Sequence, residues 1–384
     1  MQQMSAALSN IGTGLFTLVA FLFVLSIVVV VHELGHFLVA RWCGVKVDAF
    51  AMGFGREIFG WNDSKGTRWR VNWLPLGGYV KFMDDANGAS MPSADVIAKM
   101  TPEERETSFH AKTLWQRAAV IFAGPFANFL LAVVLLTSLF MIWGVRTFPA
   151  RVEEVVAESA AARAGLKPGD LIVDVDGSAI ASFTDLLRIV SVNPERELAV
   201  TFERNGAPMT VKITPERKEE SDGLGGKIQV GRLGIRSVNT PTSGTFKRYG
   251  PVEALVLGVR ESVYIITSSM SSIGKMISGR ENAAQLGGPL KIAAVAGKAA
   301  SIGFDSLLNV AALVSLSVGL FNLFPIPPLD GGHLMFYAAE AIRGRPLSDN
   351  AKEIGFRMGF ALILMLVVLV MWNDRLVVKG WMGG

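Results

Sequence analysis

An ionisable cluster inside a bilayer-length apolar run constrains this chain more than any other feature. Leu15 to Ala40 is long and apolar enough for a membrane span, which takes about 20 residues, yet it contains His32-Glu33-Leu34-Gly35-His36. An acidic residue at the centre of a spanning helix costs roughly 2.5–3.5 kcal/mol, so something local must compensate. Residues four apart on a helix lie one above the other, so His32 and His36 share a face and can hold one zinc ion. Glu33 sits beside them and can act as general base toward water without being a ligand. A chance match on a soluble helix is the bland alternative, and the apolar setting argues against it.

Composition agrees with a membrane protein. Of 384 residues, 51% are hydrophobic and 18% charged, against about 25% charged in soluble domains. The net charge of +4 is too small and too dispersed to suggest nucleic acid, so no nucleic-acid partner is expected. The single cysteine, Cys43, rules out an internal disulfide framework and reads as a packing residue beside the span. The first fifteen residues carry no Lys, Arg, Asp or Glu, so they lack the basic region of a signal peptide. Arg41 and Lys46 follow the span, which puts the amino terminus outside and the end of the first helix in the cytoplasm. The zinc site would then lie about 6–10 Å inside the cytoplasmic boundary at 1.5 Å per residue.

Residues 41–117 read as a long cytoplasmic segment. Gly53-Phe54-Gly55 and Phe59-Gly60-Trp61 suggest an irregular apolar loop, and Trp69 to Phe82, with Gly77, Gly78 and Tyr79, a bent β-hairpin. Such a hairpin is either soluble or buried in the membrane where it lines a cavity, and the pattern leaves both open. Thr101-Pro102-Glu103-Glu104 is a helix start. A second span over 118–143 contains Pro125 and Asn128. The latter is an interhelical hydrogen bonder or a candidate substrate contact.

Residues 150–215 change character, with strands predicted at 151–156, 171–175, 198–204 and 209–213 and helices at 159–164 and 183–190. Asn205-Gly206 marks a hairpin. The order, with A-G-L-K-P-G-D followed by L-I-V-D-V-D-G, resembles a PDZ domain, a fold that takes an extended peptide by strand addition or serves as a spacer. Residues 216–305 read as a linker, loose over 223–243, and amphipathic helices, one from Pro251 to Gly279. Residues 306–336 form a third span, broken at Pro325, Pro327 and Pro328 just before Asp330. A fourth covers 356–373 and returns the carboxyl terminus to the outside. The fold class is therefore a four-span α-helical membrane protein with an inserted extracytoplasmic α+β domain.

A catalytic zinc usually takes three protein ligands. Asp330, predicted at the depth of His36, is the candidate third, and His333 is its rival. A zinc transporter could also carry His and Asp in its spans, and a non-catalytic adaptor could hold structural zinc and bind peptide ends. Neither needs the glutamate.

H-E-L-G-H in the first span, G-P-F-A-N in the second, the PDZ-like insert and N-L-F-P-I-P-P-L-D-G-G in the third together resemble the site-2 protease family, in its bacterial RseP-type group. The resemblance implies an inner-membrane protease that cleaves single-span proteins within the bilayer, usually after another protease has shortened them. It implies one Zn2+ held by His32, His36 and Asp330, with Glu33 as catalytic acid/base and Asn322 handling the substrate backbone. The hairpin near Gly77 resembles the family's membrane-reentrant β-loop. Typical RseP-type members carry two PDZ domains, whereas this chain has one. The oligomeric state does not follow from any of these features.

Overall fold

A computed structural model describes residues 2–83, 100–221, 227–236, 245–279 and 286–382. In chain order, α1 (Gln2–Trp42) is followed by β1 (Val47–Asn62), β2 (Arg68–Phe82), α2 (Pro102–Thr107) and α3 (Leu114–Ile142). The insert then runs through β3 (Val145–Thr147), β4 (Glu154–Val155), α4 (Ala160–Arg163), β5 (Leu171–Val175), β6 (Ser178–Ala179) and α5 (Phe183–Ser191). It continues with β7 (Leu198–Arg204), β8 (Ala207–Ile213), β9 (Glu216–Ser221), β10 (Lys227–Arg232), β11 (Ile235–Arg236) and β12 (Thr245–Lys247). The remaining helices are α6 (Pro251–Ile277), α7 (Pro289–Ile302), α8 (Phe304–Asn322), α9 (Asp330–Arg343) and α10 (Asp349–Met382). These elements form two compact units, Met1–Leu139 with Pro251–Arg375, and Phe140–Gly250 with Leu376–Gly384.

Within the first unit, four helical stretches are long and apolar enough to cross a membrane: Gly12–Trp42, Leu114–Ile142, Phe304–Asn322 and Asn350–Arg375. Helices α1, α3 and α10 extend beyond the expected spans because helical hydrogen bonding continues past the apolar run. The third expected span, 306–336, is two helices. Helix α8 stops at Asn322 and α9 begins at Asp330, because proline supplies no N–H and clashes with the preceding turn. Helix α6 packs through a stripe of small residues, Ala254, Gly258 and Ser262. Gly258 fits against Thr137 and the Val133 carbonyl of α3, while Val256, Val259 and Val263 stay exposed.

Helix α7 has no counterpart among the named sequence elements. It packs on α1 and α8 through Ala296 and Ala299 against Ala20, Val24 and Val310. Its first residue lacks a side-chain cap, and Asp374 of α10 takes that role. The buried Asp374 carboxylate accepts from Gly288 N at 2.8 Å and Leu290 N at 2.9 Å.

The segment after α1 departs from expectation. Val47–Asn62 is a strand rather than an irregular loop, and residues 78–82 do not fold back on 69–74 as a local hairpin. Residues 49–52 of β1 instead lie between two stretches of β2, pairing with 78–81 on one side and 68–71 on the other. The apolar inner half of β1 needs cover on both edges, with Phe50 2% exposed. Phe37 of α1 and Trp69 close over it, with ring centroids 5.4 and 4.6 Å from that of Phe50. The outer half leaves Phe54, Ile58, Phe59, Trp61, Trp73 and Leu74 exposed.

The second unit is built around a four-stranded sheet of order β6-β5-β7-β8. Leu186 and Val190 of α5 pack with Ile172, Val175, Val200, Phe202 and Leu233 in its core. Asn205 and Gly206 both have positive φ, 51° and 81°, which the two-residue turn between β7 and β8 requires. Helix α5 opens with a reciprocal cap between Ser182 and Asp185. The unit does not end at residue 215, and 223–243 is not wholly a loose linker. Strand β10 pairs with β9, β11 with β4, and β12 with β3. The expected strand over 151–156 is reduced to β4 and an isolated bridge between Arg151 and Leu171.

One ion pair, between a buried carboxylate and a partly exposed guanidinium, ties this unit together. Arg204 Nε and one terminal nitrogen donate to the two oxygens of Asp170, each at 2.8 Å, and Lys167 N donates to the second oxygen, also at 2.8 Å. Burial alone would push the Asp170 carboxyl up. The Arg204 hydrogen bonds, the Lys167 amide and the Arg204 charge outweigh it and hold the group below its ordinary value. A depressed folded value gives stability that is present above the unfolded pKa, near 3.9, and lost as pH falls through the folded one. Asp170→Ala is therefore expected to destabilise the domain by roughly 2–3 kcal/mol at neutral pH. In thermal melts monitored between pH 7 and 3, the gap between parent and variant should narrow below about pH 4.

Candidate metal centre

The site begins where α1 meets α3. Gly35 of the H-E-L-G-H stretch faces the Ala123 carbonyl and the Ala127 methyl, and any side chain there would overlap them. This close approach buries both imidazoles, His32 and His36 at 8% exposure each. Their Nε2 atoms are 3.2 Å apart, with the rings edge to face. Val120, Gly124 and Asn128 lie four residues apart on α3 and so share the face it presents. His36 Nδ1 bonds the Val120 carbonyl at 2.8 Å, and Asn128 Nδ2 is 3.2 Å from His32 Nδ1. A carbonyl only accepts, so His36 carries its proton on Nδ1 and keeps a lone pair on Nε2.

Asp330 comes from the other end of the fold. After α8 ends, Leu323 to Leu329 turn tightly, held by Ile326 N to Phe324 O at 2.7 Å and Leu329 N to Ile326 O at 2.8 Å. Gly331 and Gly332 follow because that turn doubles back on the start of α9. A Cβ on Gly331 would overlap the Leu323 and Phe324 carbonyls, and one on Gly332 would overlap Ile326 and Pro327. Asp330 is thus the first residue of α9, where the helix dipole favours a carboxylate. Its Oδ2 lies 3.1 Å from His32 Nε2 and 3.6 Å from His36 Nε2.

The three side chains bring one ligand atom each to within 4.8 Å of one another. They fit a metal ion by their own chemistry. Asp330 Oδ2 is enclosed and has no hydrogen-bond partner among the described residues, and His36 Nε2 faces it with a lone pair. Converging lone pairs repel unless a cation lies between them, and two imidazoles with one carboxylate form a donor set suited to Zn2+.

The structure gives each of the other candidate residues its own surroundings. Glu33 is outside it, half-buried, with the Val80 N–H against its carboxylate. Gly78 lies where a Cβ would press on Glu33 Cγ and Val29, so the sheet edge at 78–80 adjoins the glutamate. Tyr79 stacks on Phe54 at 6.2 Å, and Gly77, with φ of +116°, packs beside the same ring. Asn322 is half-buried at the last turn of α8. His333, the rival third ligand, is not among the three converging groups, and its ring packs 5.4 Å from Phe356 of α10. Asn128, a candidate for substrate contact, is wholly buried against His32. Sequence reasoning missed Gly124 and the Val120 carbonyl. Their spacing of four and eight from Asn128, on one helix face, was the available signal.

Gly124 supplies a sharp test. A Cβ there would overlap His36 Nε2 and Cε1 and crowd His32 Cε1. Gly124→Ala is expected to displace the ligand nitrogen and lower zinc content at least tenfold, as read by metal analysis of purified protein, with the fold retained.

Comparison with known proteins decides the family. The sequence pattern of Peptidase family M50 matches residues 20–366. The chain belongs to peptidase family M50. It is 45% identical to a Rhizobium meliloti (strain 1021) protein named as a zinc metalloprotease, over 97% of this chain and 98% of the relative. It is 38% identical to the metalloprotease MmpA of Caulobacter vibrioides, over 94% and 95% of the two chains. It is 30% identical to the regulator of sigma-E protease RseP of Salmonella typhimurium, over 94% and 98%. With its four apolar helices, the chain is a multi-pass membrane protein and a zinc metalloprotease of the site-2 protease type.

Proposed function

We propose that this M50 peptidase is an endopeptidase that cuts peptide bonds of single-span membrane proteins inside the bilayer. One Zn2+ is held by His32, His36 and Asp330, and Glu33 is the acid/base. The observation that carries the reading is the convergence of Asp330 with two histidines of an apolar helix nearly 300 residues earlier in the chain, with a glutamate beside them. Bound zinc supplies Lewis-acid polarisation of the scissile carbonyl. Glu33 takes a proton from the attacking water and delivers it to the leaving amine.

A helical substrate hides its carbonyls in hydrogen bonds, so cleavage requires local unwinding. The edge of β2 at Gly78 to Val80, next to Glu33, offers main-chain partners to an unwound segment. The exposed aromatic outer half of β1 and β2 supports a sheet that enters the membrane rather than a soluble hairpin. Asn322, at the proline break, is a candidate for holding the substrate backbone.

Arg41, Lys46, Arg343 and Arg345 orient the centre toward the cytoplasmic side of a bacterial inner membrane, with the PDZ-like unit outside. In that unit, a groove of about 530 Å³ between Leu186 and Val190 of α5 and Leu233 to Arg236 is open to an extended peptide. The substrates that suit this arrangement are membrane proteins already shortened by another protease, such as anti-sigma-factor-like proteins or signal-peptide remnants. The RseP alignment runs over 457 positions, more than the 384 of this chain, in keeping with one such domain here and a longer relative.

The test is reconstitution. Purified protein in liposomes with a single-span substrate should cut within the apolar segment, and chelation should stop it. Cleavage confined to soluble loops, or unaffected by chelation, would overturn the proposal.

A further inference from the structure

The face that α3 turns toward the metal centre holds more than clearance for two rings. Asn128 is fully buried, with its carboxamide 3.2 Å from His32 Nδ1. Its backbone carbonyl is pinned by the hydroxyl of Ser315 on α8 at 2.8 Å, so the residue is fixed between two spanning helices. The carboxamide Oδ1 is buried and has no partner among the described residues. A polar group left so inside a spanning bundle is expensive, and among the described residues the polar partner of this side chain is His32 Nδ1.

The ligand geometry states what His32 needs. His32 Nε2 faces Asp330 Oδ2 and His36 Nε2, so for Nε2 to coordinate, it must be free of hydrogen. The ring proton must then sit on Nδ1, which becomes a donor and requires an acceptor. His36 meets the same need through the Val120 carbonyl, which lies about two helical turns from Asn128 on the same face of α3. Rotating the Asn128 carboxamide by half a turn leaves its shape unchanged and presents Oδ1 to His32 Nδ1.

We infer that Asn128 is a positioning residue for the zinc centre, whose side-chain oxygen accepts the His32 Nδ1 proton and thereby fixes the tautomer and ring angle that ligate the metal. The inference rests on the zinc reading above. It assigns Asn128 to the enzyme's own ligand rather than to substrate.

The test compares Asn128→Leu, which keeps the volume but removes the acceptor, with Asn128→Asp, which keeps an acceptor oxygen. Zinc affinity is measured on full-length protein in detergent by competition with a chromophoric chelator, with helicity checked by circular dichroism. Leucine is expected to weaken zinc binding by about 10–100-fold and aspartate to restore it to within about threefold of the parent. Cobalt-substituted protein should show a visible spectrum that changes with leucine and not with aspartate. A leucine variant that holds zinc as tightly as the parent, or an aspartate variant as weak as the leucine one, overturns the inference. Should the leucine variant not fold, nitrogen-15 spectra of histidine-labelled parent, which has four histidines, decide it. A proton on His32 Nδ1 in the zinc-loaded protein supports the inference and one on Nε2 refutes it. Parent protein that retains no zinc overturns the metal reading itself, whereas failure confined to the variants removes only the role of Asn128.

Discussion

Glu33→Gln is expected to lower the rate of peptide-bond hydrolysis by about 10²–10⁴-fold while leaving zinc content at the parental level. The carboxylate lies outside the three-ligand group, so the amide should not disturb it. What it removes is the proton acceptor. Glutamine has the same length and can still meet the Val80 N–H through its carbonyl oxygen, so the contact with the sheet edge survives. Substrate should therefore still bind. The measurement is a pair, single-turnover cleavage of a reconstituted single-span substrate and co-purification of uncut substrate with the variant. Normal cleavage by the glutamine variant would remove Glu33 from the chemistry. Loss of zinc would make it part of the ligand field instead.

Asp330→Ala should have the largest effect on the metal. Its carboxylate is the charged member of the three-residue set, and it would balance the ion in an apolar region. Substitutions in the residues around a site commonly cost 10–100-fold in affinity, so loss of a ligand itself should exceed 100-fold and leave protein without stoichiometric zinc. The two histidines remain packed between α1 and α3, so the bundle should persist, as a circular dichroism spectrum and a monodisperse elution profile would show. Retained zinc and activity in this variant would dissolve the centre described here. Asp330→Glu is instructive beside it. The added methylene carries the carboxylate away from the position in which Oδ2 lies 3.1 and 3.6 Å from the two imidazole nitrogens, so zinc should also be weakened despite the retained charge.

The parts of the fold that were readable in advance are those in which a local pattern has one physical outcome. Uninterrupted apolar length made α1, α3, α8 and α10 legible, and two-residue turn chemistry at Asn205-Gly206 fixed β7 and β8. Prolines at 325, 327 and 328 announced the break before Asp330. The segment 47–82 was not legible. Residues 49–52 satisfy both backbone edges with pieces of β2 that are distant in sequence, and local alternation does not reveal a partner. Helix α7 was hidden for a related reason, since its cap is Asp374, some 86 residues away from Gly288. The strands at 216–236 fell in a Gly-rich stretch whose pairing is set by β9 and β4 rather than by its own composition.

By itself the sequence pointed to the residues proposed to carry the chemistry. His32 and His36 are one helical turn apart, Glu33 is adjacent, and an ionisable Asp330 follows a proline-broken span, so residue type and spacing were enough to nominate them. Only the tertiary structure decided how they become a site. It brought Asp330 Oδ2 to 3.1 Å from a ring nitrogen on α1, seated Gly124 where any side chain would strike that pair of rings, and set the Asn128 carboxamide beside His32. The physical reason is that helix geometry is a local property of the chain. The distance between three helices, and the atom that faces the second nitrogen of an imidazole, depend on which small residues allow those helices to touch.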